Sequence, residues 1–132
     1  MSNYTQLNLN DVENQAPSFG MPEGIEARFA RQALGLEKCG ISLERLPAGV
    51  RMPFGHSHGE QEEVYVVIRG NARVKVGDEV LELSEMDALR VGPDVMRAFE
   101  GGSEGAEILA FGAPAVADPA AEAEMQPGWW QD

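Results

Sequence analysis

The chain has 132 residues and a formal net charge of -12, with only ten basic side chains. That length is one domain's worth, with enough apolar residues for a single core rather than disorder. Phosphate backbones and anionic membrane surfaces are held by basic faces, so neither nucleic acid nor a membrane is expected as a partner.

Residues 1 to 24 are polar and end in Pro17, Gly20, Pro22 and Gly24, which reads as an N-terminal arm with Leu7, Leu9 and Val12 available to dock it. The start MSNYTQLNLNDVENQ lacks the basic residues and apolar stretch of a signal peptide. No apolar run reaches membrane-spanning length. The single cysteine, Cys39, can form no internal disulfide and reads as a small core or strand residue. A cytoplasmic location is the expectation.

From residue 25 to 112 the chain reads as short strands separated by turn residues. IEARFARQAL alternates in part and is broken at Gly35; CGISLERL alternates until Pro47-Ala48-Gly49. EEVYVVIRG, ARVKV, EVLEL, DALRV, MRAFE and EILAFG come next, with Gly70-Asn71 and Gly77-Asp78 as two-residue hairpin turns and Gly101 to Gly105 as a loop. About eight short strands without a long amphipathic helix predict an all-β, antiparallel sandwich or barrel. Residues 113 to 132 form an acidic, Ala- and Pro-rich tail. Asp118-Pro119 before AAEAEM predicts a short helix, and Trp129 and Trp130 are too apolar to be left in water, so they are expected to dock on the barrel or on a partner subunit.

The strongest chemical signal is PFGHSHGEQEEVYVVIRG, residues 53 to 70. Residues two apart on an extended chain share a face, so the chain's only two histidines, His56 and His58, look into one space. The polar link Gly59-Glu60-Gln61-Glu62 can return Glu63 beside them. Two imidazoles and a carboxylate suit zinc, manganese, iron or nickel. The plainer reading, a polar turn before a strand with Glu63 solvated, stays open on HSH alone. Glu62 is the alternative ligand if the link is one residue shorter.

The spacing of His56, His58, Glu63 and Gly70 resembles the first motif of the cupin superfamily, with Gly49 one residue further from His56 than the usual pattern. The resemblance covers about residues 25 to 112 and implies a jelly-roll β-barrel. The family's second motif supplies a third histidine after a proline-glycine turn. Here the matching stretch runs from Met86 to Arg97, with Met86 at the opening glycine position, Gly92-Pro93-Asp94 as the turn, and Arg97 at the histidine position. Arginine keeps its proton and has no lone pair for a metal.

Three arrangements are open. The metal sits on His56, His58 and Glu63 alone; or Arg97 forks onto Glu63 in a metal-free pocket; or Arg97 awaits an anionic ligand. Tyr65, Gln61 and Phe99 are further ligand-binding candidates, and Arg51 lies upstream near the barrel mouth. Met52, Met86 and Met96 can line the pocket or simply pack. The expected function is a small-molecule-binding cupin with a partly degenerate metal site, acting as an oxygenase or isomerase on a small anionic compound. The alternative is a metal-free, non-enzymatic sensor or binding protein with a Glu63–Arg97 pair. Exposed strand edges and the tryptophan tail predict a homodimer in either case.

Overall fold

In the computed structural model, residues 3–116 and 122–132 are described. The chain forms β1 (Glu26–Phe29), β2 (Gly40–Leu46), β3 (Phe54–His58), β4 (Glu62–Val76), β5 (Glu79–Leu83), β6 (Ala88–Val91), β7 (Arg97–Ala113) and β8 (Ala123–Pro127). One helical turn, α1 (Arg31–Leu34), comes after β1 and is stopped by Gly35 in the left-handed conformation. The strands make one antiparallel sheet in the order β1-β2-β7-β3-β8, and β4 lies against β7 while also pairing with β5 and β6.

Side chains on the inner face alternate along each strand as the period of two requires. Tyr65, Val67, Ala72 and Val74 on β4 meet Phe99, Ala106, Ile108 and Ala110 on β7, and Leu46, Leu83 and Val91 close the same cluster. The barrel expected from the sequence is therefore the observed architecture.

Two turn expectations are overturned. Gly70-Asn71 is not a hairpin: the chain runs straight through it as β4, with register shifts at Val67/Arg69 and at Gly70/Ala72. Gly101 to Gly105 likewise lies inside β7. The glycines are there because the two long strands bend and approach closely at matched points, so what looks like turn chemistry is bulge chemistry. Gly77-Asp78 is a hairpin as expected, closing β4 onto β5 through the Val76–Glu79 pair.

The arm lies along β1. Val12 and Ala16 are buried, Leu7 and Leu9 are half-buried, and Asn14 Oδ1 accepts the backbone N–H groups of Ala16 and Ala27. Cys39 is exposed, because it sits at the open start of β2 outside the core. Asp118 and Pro119, the expected cap and first turn of a helix, lie outside the described residues. Residues 123–127 are not helical but extended as β8, paired along β3 from Phe54–Pro127 to His58–Ala123. The ladder hydrogen bonds offered by β3 outweigh the weak local helix preference of five residues.

Both tryptophans dock on the outer face of their own barrel. Trp130 is buried with the Arg51 guanidinium 4.0 Å from its ring centroid, and Lys75 Nζ lies 4.4 Å from the Trp129 ring.

Met86 has φ 71 although its side chain is exposed, a left-handed conformation that costs an L-residue roughly 1–2 kcal/mol. Glycine relieves that strain but loses more entropy on folding. The Met86→Gly variant is expected to gain about 0.5–1 kcal/mol in urea unfolding; Met86→Ala, which keeps the strain, should gain nothing.

Candidate metal centre

The alternation of β3 turns His56 and His58 to one face, with ring centroids 5.1 Å apart and planes at 88°. The link from Gly59 to Gln61 reverses the chain, so Glu63 at the start of β4 returns beside them. Glu63 Oε1 is 3.1 Å from His58 Nε2 and 3.5 Å from His56 Nε2. All three ligand atoms lie within 4.8 Å of one another. Metal bonds of about 2.1 Å at tetrahedral or octahedral angles place neighbouring ligand atoms about 3.0–3.4 Å apart. The three residues therefore fit a divalent transition metal with small adjustments. Glu62 does not share the site: it is exposed and pairs with Arg90 at 3.3 Å.

The protonation states suit the same use. Burial pushes His56 down, Arg97 and His58 add to this, and Glu63 opposes it, so the ring is a neutral imidazole with a free lone pair at pH 7. Burial by itself would push the Glu63 carboxyl up, but hydrogen bonds from His56, His58 and Tyr65 outweigh it and hold the group far below the usual carboxylate range. Burial and the Glu63 charge push Tyr65 well up, so it stays a phenol and donates to Glu63 Oε1. Its ring packs on Phe99 at 4.6 Å, which makes Phe99 a wall of the site. Gln61 is not brought in: its amide reaches the carbonyl of Pro114 at 3.4 Å.

Arg97 is fully buried and pairs in register with His56, so it points inward at the position where the sequence lacks a third histidine. The expected fork onto Glu63 does not form. The guanidinium is held by main-chain oxygens instead, Gly92 at 3.1 Å with longer contacts to His56 and Val91, and its Nε has no partner. Glu63 is already engaged by Tyr65 and the histidines. A buried cation without a carboxylate partner among the described residues thus stands beside the candidate ligands.

Sequence reasoning missed Glu44. It pairs in register with Ile108, which in turn faces Val67, so its carboxyl enters the barrel from β2. Burial, then the Glu63 charge, pushes it up to about 7. The folded state then holds a proton that the unfolded chain releases near 4.5. Stability from this group is complete below about pH 4.5 and is lost as pH rises to about 7. The whole shift is worth roughly 3 kcal/mol, discounted to about 2 because part of the side chain stays accessible. Metal-free Glu44→Gln is expected to exceed the parent by that amount in urea unfolding at pH 8 and to match it near pH 4.5. An equal difference at both pH values would refute the assignment.

No family model matches the chain, and neither does any curated protein. Solved structures do. A cupin protein from Bacteroides fragilis aligns over 89% of this chain and 90% of its own, with TM-score 0.71 and 26% identity. A variant of oxalate decarboxylase from Bacillus subtilis aligns over 94% of this chain with TM-score 0.76 and 22% identity. The same enzyme at pH 4.6 gives TM-score 0.75 and 21%. This chain spans only 32% of the length of the oxalate decarboxylase chain. An antiparallel barrel with a His-His-Glu corner on two successive strands defines the class, a jelly-roll β-barrel with a candidate metal-binding cluster. The chain has the barrel fold of the cupin structures with which it aligns. No helix among the described residues is long and apolar enough to cross a membrane.

Proposed function

We propose that this chain holds one divalent transition metal (iron, manganese, nickel or zinc) on His56, His58 and Glu63 and acts on a small anionic compound, with oxygenase, isomerase or decarboxylase chemistry. The observation that carries this reading is the spacing of the three ligand atoms, 3.1 and 3.5 Å from Glu63 Oε1 to the two imidazoles. When bound, the metal supplies a Lewis acid with positions open to substrate, because no fourth protein ligand is offered among the described residues.

Charge favours an anion. A divalent ion with Glu63 and the buried Arg97 leaves net positive charge inside a low-dielectric barrel. Arg97 is sealed by carbonyls, so it acts through its field rather than by touching the ligand. Tyr65 holds Glu63 in place and keeps a hydroxyl 3.4 Å from His56 Nε2. The likeness to oxalate decarboxylase makes small carboxylates the first compounds to try. The metal-free alternative rested on a Glu63–Arg97 pair, and the bonds of both residues go elsewhere. A homodimer through exposed edges such as β5, where Val80 is exposed, belongs to the same reading.

The test is metal content of untagged protein purified without chelator, beside His58→Ala. Near-stoichiometric metal that disappears in the variant supports the reading, and calorimetry with oxalate and other small carboxylates then seeks the substrate. Wild-type protein that takes up no metal even after soaking overturns it.

A further inference from the structure

His58 presents two nitrogens to very different surroundings. Nε2 faces Glu63, whereas Nδ1 is buried and has no hydrogen-bond partner among the described residues. An acidic oxygen close to it comes from the far end of the chain: Glu122 Oε1 lies 3.9 Å from Nδ1, and its side chain is only 9% exposed. The same oxygen accepts the backbone N–H groups of Glu60 at 2.7 Å and Gln61 at 2.5 Å, and the Glu122 carbonyl accepts that of Gly59 at 2.8 Å. Glu122 thus clamps the link that joins the two histidines to Glu63. Gly59 lets it approach: a Cβ there would stand 2.9 Å from Glu122 Oε2.

The geometry points to Glu122 as a positioning residue of the metal centre, whose carboxylate takes the Nδ1 proton of His58 and aims Nε2 at the metal. This inference rests on the metal reading above. An imidazole bound through Nε2 must carry its proton on Nδ1, and a buried N–H without an acceptor is costly. Metal-bound histidines nearly always give that proton to a carboxylate, a carbonyl or water. Closing the remaining gap to hydrogen-bond length needs a small movement of the ring or the carboxylate. Glu122 immediately precedes β8, which pairs along the whole of β3, so the acceptor is delivered by the strand that braces both histidines. The tail then serves as a strap on the site as well as a cover for the barrel.

The experiment uses Zn2+ on the full chain, with wild type, Glu122→Gln and Glu122→Ala. Affinity is read by competition with a chromophoric chelator. The imidazole signals are read by NMR on 15N-histidine protein, in which only two side chains contribute. The expected result is a slowly exchanging, hydrogen-bonded Nδ1 proton on His58 in the zinc form of wild type. In Glu122→Ala that proton is lost and zinc binds about 10–100-fold more weakly. Glu122→Gln, which keeps an acceptor for the link and for the ring, recovers most of the affinity and the proton signal. Thermal unfolding of the metal-free variants shows that the barrel stands. Zinc affinity and proton signal in Glu122→Ala equal to wild type overturn the inference and leave the metal reading intact. Weaker zinc binding with no protected proton in wild type also overturns it, because Glu122 then acts on the link alone. Wild type that binds no zinc overturns the inference, and wild type that also takes up no manganese, iron or nickel overturns the metal reading with it.

Discussion

Glu63→Gln is expected to lose metal affinity by more than the roughly 100-fold typical of changes to outer-shell partners, because it removes the only charged ligand. The amide keeps the shape of the side chain and an oxygen that can still accept from Tyr65. What disappears is the negative charge that binds the cation. Calorimetric titration with Mn2+ or Zn2+ reads the loss, and circular dichroism of the metal-free variant checks the fold. A variant that binds as tightly as wild type would show that Glu63 is not a ligand. The charge also matters to the metal-free protein. A carboxyl held far below its usual range stabilises the fold above the unfolded value near 4.5 and loses that contribution as the solution is acidified.

Gly70→Ala is expected to destabilise the barrel by more than about 4 kcal/mol, a large part of the 5–15 typical of a domain. Gly70 has φ 81, and a Cβ there would stand 2.0 Å from the carbonyl oxygen of Gly105. Neither atom can retreat, because both are backbone and their strands are paired on either side, through Arg69–Glu107 and Ala72–Gly101. Gly35→Ala makes the control: φ is 73 but nothing lies within 4 Å, so only the backbone cost of about 1–2 kcal/mol remains. Urea unfolding of the two variants should separate them clearly. A Gly70→Ala loss no larger than that of Gly35→Ala would mean the bulge opens without strain.

The site is more legible in the sequence than the path of the chain around it. His56, His58 and Glu63 stand out because they are close in sequence, and a strand, a short link and a strand start suffice to bring them together. Gly70-Asn71 misleads because the same two residues suit a hairpin or a bulge, and the choice is made by Gly105, a residue far along the chain. The inward direction of Arg97 is legible from its place in the second motif. Its partners are not, since carbonyl acceptors carry no side-chain signature. Glu44 is hidden by a strand with apolar residues on both faces: Leu43 is buried on one side and Leu46 on the other. Glu122 falls in a stretch whose local preference is helical, and only pairing with β3 brings it to His58.

The pairing of β3 has a consequence for how the protein is made. β3 touches β7 through a single residue pair, His56–Arg97, and β8 through five. Its main neighbour is translated about 65 residues after it. A nascent chain therefore carries its two histidines on a strand that lacks its main neighbour until the last residues are made. Cations met at the ribosome would find two loose imidazoles rather than a rigid corner, and would be held weakly and without selectivity. On the metal reading proposed above, the ion would therefore be chosen by the finished barrel, in which β8 holds β3 and its histidines in place.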